Sequence, residues 1–205
     1  MKNGLDLSGR FLSVAIADTS RDGLDQAVQR IFGRIAPGRL HRTVRGLRLA
    51  DIYKIDPPPG AAHFFKVAVF SPRHLSGKSA LITNVADGWN SLCHLVASEH
   101  QRFQIQVIST TDNADYPQHR IEVWRNGRST RVVMAMRDTD QWIFVEKGEP
   151  EDFEETKLYE RRLIKNRLDR GIVVRYLQRI GWDVTQLSFW ESESEAIYFE
   201  ELRKR

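Results

Sequence analysis

The chain of 205 residues has a single cysteine, Cys93. That excludes an internal disulfide and a multi-cysteine metal site. So sparing a use of cysteine fits a reducing compartment, and a cytoplasmic protein is expected. No apolar run approaches the roughly 18 residues that a membrane span needs. The opening MKNGLDLSGR lacks the apolar centre of a signal peptide, so none is expected. Neither sign of charge dominates, since 31 Lys and Arg against 27 Asp and Glu leave a formal net charge of +4. That balance permits a nucleic-acid partner without arguing for one. There is no GxGxxG. Ser76-Gly77-Lys78-Ser79 invites a phosphate-loop reading, but Pro72 stands where that motif needs glycine. The six histidines form no HxxxH or HxH pair. His94 adjoins Cys93, yet side chains one apart on a helix diverge. No metal site and no cofactor is therefore expected.

What is present reads as an ordinary globular chain, 41% apolar and 28% charged, long enough for a sizeable core. Its clearest signal is a sentence written twice. Leu12, Val14 and Ile16 alternate with Ser13, Ala15 and Ala17, which predicts a half-buried strand. After Asp22-Gly23 the apolar residues Leu24, Ala27, Val28, Ile31, Phe32 and Ile35 follow helical spacing. The second copy runs from Ala80 to Val85, through Asp87-Gly88, into a helix from about Gly88 to His100. After the first helix, strands are predicted around Leu47 to Ile55 and over Phe64 to Phe70, separated by the stiff connector Pro57-Pro58-Pro59-Gly60. After the second helix come a strand at Phe103 to Ile108, a hairpin turning at Asn126-Gly127, and a last strand at Trp142 to Val145. The expected fold class is α+β: two strand-helix-strand-strand repeats forming a mostly antiparallel sheet with helices on one face, plus C-terminal helices. The units are 1–76, 77–148 and a helical, aromatic segment 149–205 packed on the sheet, all within one domain or divided among them.

From Glu149 the composition changes. Glu149, Glu151, Asp152, Glu154 and Glu155 precede Lys157, Arg161, Arg162, Lys165, Arg167 and Arg170. Acid first and base last is the polarity of a long solvated helix, broken or kinked at Gly171. Ile172, Val173, Tyr176, Leu177 and Ile180 mark one more apolar helix stripe. Trp182 to Phe199 reads as two short strands, or as one strand and an irregular aromatic segment.

Residues able to carry chemistry are few. Cys93 falls on an apolar helix stripe and reads as a small buried hydrophobe. Asp87 and Asp22 precede helices and read as caps. Asp138 and Asp140, beside Arg137 and Trp142, form the most site-like local cluster, although a turn explains them as well. A basic strand carrying Arg42, Arg45, Arg48 and Lys54, with Tyr53 and Phe64 as stacking platforms, could meet single-stranded nucleic acid.

Two stretches carry a resemblance. One is Arg137-Asp138, Gln141-Trp142-Ile143-Phe144 and Glu149-Pro150-Glu151-Asp152-Phe153-Glu154; the other is Trp182-Asp183, Phe189-Trp190 and Tyr198-Phe199-Glu200-Glu201. Both resemble small cytoplasmic immunity proteins encoded beside bacterial polymorphic or contact-dependent toxins. The resemblance implies a non-catalytic α+β inhibitor that occludes a cognate toxin, without cofactor or membrane anchor. The class has no shared motif, so it transfers no residue roles. Many members that inhibit nucleases are acidic; this chain is basic overall, so its toxin would be acidic or its binding face locally acidic. Tryptophans and clustered acids are good anchors and steering charges. The partner-binding candidates are thus Trp142, Glu149, Glu151, Asp152, Glu154, Trp190, Glu191 and Glu193. The alternative is a nucleic-acid-binding or phage-related accessory protein using Arg42, Arg45, Arg48, Tyr53 and Lys54. A hydrolase with Asp138 or Asp87 as base is the third reading.

Overall fold

A computed structural model describes residues 11–49, 52, 65–85, 87–100, 104–111 and 114–201. The chain runs β1 (Leu12–Ala17), α1 (Arg21–Ile35), β2 (Leu40–Arg45), β3 (Lys66–Phe70), β4 (Ser79–Thr83), α2 (Asn90–His100) and β5 (Gln104–Ser109). It continues through β6 (Gln118–Arg125), β7 (Arg128–Asp138) and β8 (Gln141–Lys147), then α3 (Arg170–Arg179) and β9 (Ala196–Glu201). Among the described residues nine strands form one sheet in the order β2-β9-β3-β4-β1-β5-β6-β7-β8, and every neighbouring pair is antiparallel. Each written-twice unit contributes a split β-α-β crossover. β1 and β3 run parallel with β4 between them, and β4 and β5 run parallel with β1 between them. This interleaving is the strand order of ferredoxin-like sheets. Strands β6 to β8 extend it on one side, and β9 and β2 on the other.

Side-chain alternation divides the core into two layers. On one face Leu12, Val14 and Ile16 of β1 meet Ile172, Val173, Tyr176 and Leu177 of α3. On the other, Ala15 of β1 and Leu81 of β4 lie under Leu24, Val28 and Ile31 of α1 and Leu92, Cys93 and Val96 of α2. The helices of the two repeats thus share one face, and the C-terminal segment covers the opposite one. This is why β1 is buried along its whole length rather than half-buried as its alternation predicts. Ser13, Ala15 and Ala17 are small because helices lie directly over them.

Other expectations shift for identifiable reasons. Among the described residues the second strand is Leu40–Arg45, and most of the stretch from Leu47 to Ile55 expected as a strand lies outside them. Lying at the sheet edge, β2 needs little apolar surface, which hides it from hydrophobic patterning. Leu47 and Leu49 instead pack as partly buried side chains against the core of the α3 face. The Pro57–Gly60 connector, Tyr53, Lys54 and Phe64 lie outside the described residues. The cap of α1 is Ser20, whose hydroxyl accepts from Gly23 N at 3.1 Å, and Asp22 sits inside the first turn beside Arg21. Asp87 does accept from a backbone amide, that of Trp89, at 2.9 Å. The hairpin at Asn126-Gly127 has positive φ at both residues, 51° and 73°, as its two-residue turn requires.

The long helix expected from Glu149 onward is absent. Two short 3-10 turns, Thr156–Glu160 and Ile164–Asn166, stand in its place. Its buried residues Phe153, Tyr159 and Leu168 do not fall at three- and four-residue spacing, so no helical stripe exists to bury. One ion pair organises the segment instead. Arg131 of β7 donates through Nε and Nη2 to the two carboxylate oxygens of Glu154, at 2.9 and 2.7 Å. The two side chains are 2% and 1% exposed. Glu154 also accepts from Tyr159 Oη at 2.8 Å and from its own turn, Glu151 N, at 2.9 Å. Arg131 donates a further bond to the carbonyl of Gly148 at 2.7 Å. Burial works against the charge on Arg131, but Glu154 and Glu146 outweigh it and raise its pKa. The chain can pass this close only because residue 148 is glycine: φ is +83°, and a Cβ there would lie 1.8 Å from Thr130 O.

Glu154→Ala leaves Arg131 without its main partner and should cost about 3–5 kcal/mol in urea unfolding. Exposed Asp152→Ala should stay within about 0.5 kcal/mol of the parent. Gly148→Ala should cost more than about 1 kcal/mol, from both the clash and the left-handed backbone. Burial pushes the Cys93 thiol pKa up, with Glu122 and Asp87 adding to it. The thiol should therefore ignore an aromatic disulfide reagent in native protein at pH 8 and react once the chain is unfolded. Rapid native-state labelling would show that α2 opens.

Candidate functional site

Strand β8 is the edge of the sheet opposite β2, and its two faces differ. Trp142 and Phe144 turn toward the α3 layer and pack on its core. Ile143 and Val145 turn the other way and remain 38% and 41% exposed. In register beside them on β7 stand Met136 and Met134, with Val132 one pair further along, all half-buried. The face covered centrally by α1 and α2 therefore ends in an apolar strip, running to a strand whose outer backbone has no strand neighbour among the described residues. Natural proteins usually protect such an edge with charge, proline or a covering segment. The chain leaves β8 through Gly148 into Glu149-Pro150-Glu151-Asp152. Glu149 and Asp152 are exposed there, while Glu151 pairs with Arg125 at 2.7 Å. The apolar strip thus ends at Lys147, in register with Val132, and the exposed acids Glu149 and Asp152 lie just beyond it.

The eight partner-binding candidates do not gather into one site. Glu149, Glu151 and Asp152 sit at the end of β8. Glu154 faces inward, its carboxylate consumed by Arg131 and Tyr159. Trp142 lies on the sheet face opposite Ile143 and Val145, with its ring nearly parallel to that of His119 at 6.3 Å. Trp190 is 4% exposed, wedged against Phe70 and Phe189, and its Nε1 donates to Val184 O at 2.8 Å. Glu191 and Glu193 are exposed, and Glu191 pairs with Arg73 at 3.1 Å. Both line a groove of about 690 Å³ with Leu47, Leu49 and Leu187. They are tied to the residues that follow β3, through Arg73 N to Glu191 O and Glu193 N to Ser71 O. Six strand steps separate β3 from β8, or roughly 30 Å across the sheet. The two acidic groups are therefore separate features. Missing from the candidates were Ile143 and Val145. The run Trp142-Ile143-Phe144-Val145 is apolar on both sides of a strand, and that was the available signal.

Of the basic-strand candidates, Arg42, Arg45 and Arg48 are described, and they do not line one face. Arg42 and Arg45 are three residues apart on β2 and turn to opposite faces. Arg42 grips Asp25 of α1 with Nε and Nη2 at 3.0 and 2.9 Å, and this hydrogen bonding raises its pKa. Arg45 lies over the Tyr198 ring at 4.4 Å and reaches Glu200 at 3.5 Å. Arg48 follows the strand and donates its backbone N–H to Tyr198 Oη at 2.8 Å. Lys78 of the phosphate-loop look-alike is tied to Asp18 at 2.5 Å, and Ser79 Oγ donates to Thr19 O at 2.9 Å. Asp138 and Asp140 are exposed around the β7–β8 turn, where Thr139 takes a positive φ of 52°. Among the described residues no three His, Cys, Asp or Glu side chains gather as metal ligands, and no helix is long and apolar enough to cross a membrane.

No family model matches the chain, and no significant similarity to a curated protein or to a solved structure was found.

Proposed function

We propose that this chain is a non-catalytic cytoplasmic binding protein that docks a protein partner on the β8 edge, as an immunity-type inhibitor covering a cognate toxin. The observation that carries this reading is the exposure of Ile143 and Val145 on β8, whose outer side has no strand partner among the described residues. An extended segment of the partner, added beside β8, would satisfy the outer backbone groups and bury the apolar strip. Glu149 and Asp152 at the end of the strand favour a segment that also carries lysine or arginine. This is how a chain of net charge +4 offers a locally acidic approach. The nucleic-acid reading loses ground because Arg42 and Arg45 are engaged with carboxylates on opposite faces of β2.

The test begins by capturing the partner from the native organism, identifying it by mass spectrometry and titrating it calorimetrically. Replacing both edge residues, Ile143→Lys with Val145→Lys, should weaken binding by at least about a hundredfold while leaving the circular dichroism spectrum unchanged. Asp152→Lys should slow association by about tenfold at low salt, with little effect at high salt. Wild-type affinity in the double variant would remove β8 from the interface. Salt-dependent retention on heparin with a shift of single-stranded DNA or RNA, and no protein captured, would favour nucleic acid instead.

A further inference from the structure

A second cavity lies on the opposite face, where the ends of β7 and β8 meet the start of α3. It encloses about 440 Å³, the size of small-ligand pockets. We propose that it binds a mononucleotide, with the phosphate held by Arg137 and Lys165 and the base laid on Trp142.

Charge is the first argument. Arg137, Lys165 and Arg170 line the cavity against one acid, Asp169. That carboxylate is already the α3 cap, accepting from Ile172 N at 2.8 Å. Most arginines among the described residues are neutralised by carboxylates, Arg42, Arg125, Arg131 and Arg179 among them. Arg137 is not; its Nη2 donates to the carbonyl of Asp115 at 3.2 Å, and its Nε is buried with no acceptor. Its guanidinium thus lines the cavity without a carboxylate partner among the described residues, a charged donor group suited to an anion. Lys165 likewise has no carboxylate partner among the described residues.

The second argument is shape. Trp142 is half-buried, lines the same cavity, and lies 7° from parallel with the His119 ring. His119 is 1% exposed, and its Nδ1 is bonded to Ser109 Oγ at 2.9 Å, so the indole rests on a ring fixed from behind. A held aromatic platform beside clustered cations suits a planar ring joined to a phosphate better than either part alone. A free nucleotide and the 5′-phosphorylated end of a strand share this chemistry. The proposal does not rest on the β8 reading, since cavity and apolar strip occupy opposite faces.

The test is calorimetric titration of the full chain with AMP, GMP, CMP and UMP, with adenosine and inorganic phosphate as the separate parts. A mononucleotide should bind with a dissociation constant below about 1 mM, more tightly than adenosine or phosphate, and phosphate should compete. Lys165→Glu alters an exposed side chain that should not affect folding, and should weaken binding by at least tenfold. Arg137→Gln should do the same. Trp142→Leu should weaken the nucleotide while sparing inorganic phosphate. A 5′-phosphorylated oligothymidylate that binds tighter than UMP, with its 5′-hydroxyl counterpart silent, would assign the site to strand ends. Equal or weaker binding would assign it to free nucleotide. No nucleotide or phosphorylated strand bound by about 1 mM, or undiminished binding by Lys165→Glu, would overturn the proposal.

Discussion

The ion pair between Arg131 and Glu154 determines how the chain leaves its sheet. Both groups are withdrawn from water, so each depends on the other and on the bonds that saturate them: Tyr159 and Glu151 N on the carboxylate, Gly148 O on the guanidinium. A pair of this kind adds little net stability over an apolar substitute, but it is costly to break and it specifies one arrangement. Here it holds the turn after β8 against β7, which leaves Glu149 and Asp152 facing outward. It also brings Tyr159 against Phe144, their ring centroids 5.3 Å apart, so the 3-10 segment closes over the sheet where no regular helix does.

The two faces of the sheet are covered by different means, and both candidate sites follow from that difference. One face carries two helices from the two split crossovers, which sit over the central strands. α2 reaches β7, but β8 extends past it, and Ile143 and Val145 remain in view. The other face is covered by the irregular segment and α3, reaching as far as Trp142. Where irregular chain meets a helix start, packing leaves a recess, and polar groups of β6 and β7 line it. Neither feature requires the sheet to move.

Much of this was legible in the sequence. The strand, turn and helix at 12–35 and again at 79–100 could be read because burial imposes periods of two and near four. The Asn126-Gly127 hairpin could be read because few residue pairs tolerate its backbone. β2 could not, because an edge strand of Leu-His-Arg-Thr-Val-Arg obeys no apolar alternation; its partner, β9, is distant in the chain. The candidate site was less legible than the fold. Trp190 and Glu154 were chosen by residue type, yet type does not record direction, and both turn inward. Ile143 and Val145 have the composition of core residues, and only the reach of α1 and α2 decides that they are not. The recess at Arg137 joins residues from β6, β7, β8 and α3, a convergence no local pattern encodes.

The position of β9 has a consequence for how the molecule forms. It lies between β2 and β3, hydrogen-bonded to both, although β2 ends at Arg45 and β9 begins at Ala196. During synthesis β2 therefore has no strand to pair with until almost the whole described chain has emerged. β3 meanwhile presents a bare apolar border of Val67 and Val69. Such distant pairings are slow to close. The last strand acts as a bolt shot home late, and the interval before it closes is when a nascent chain is most prone to pair with its neighbour.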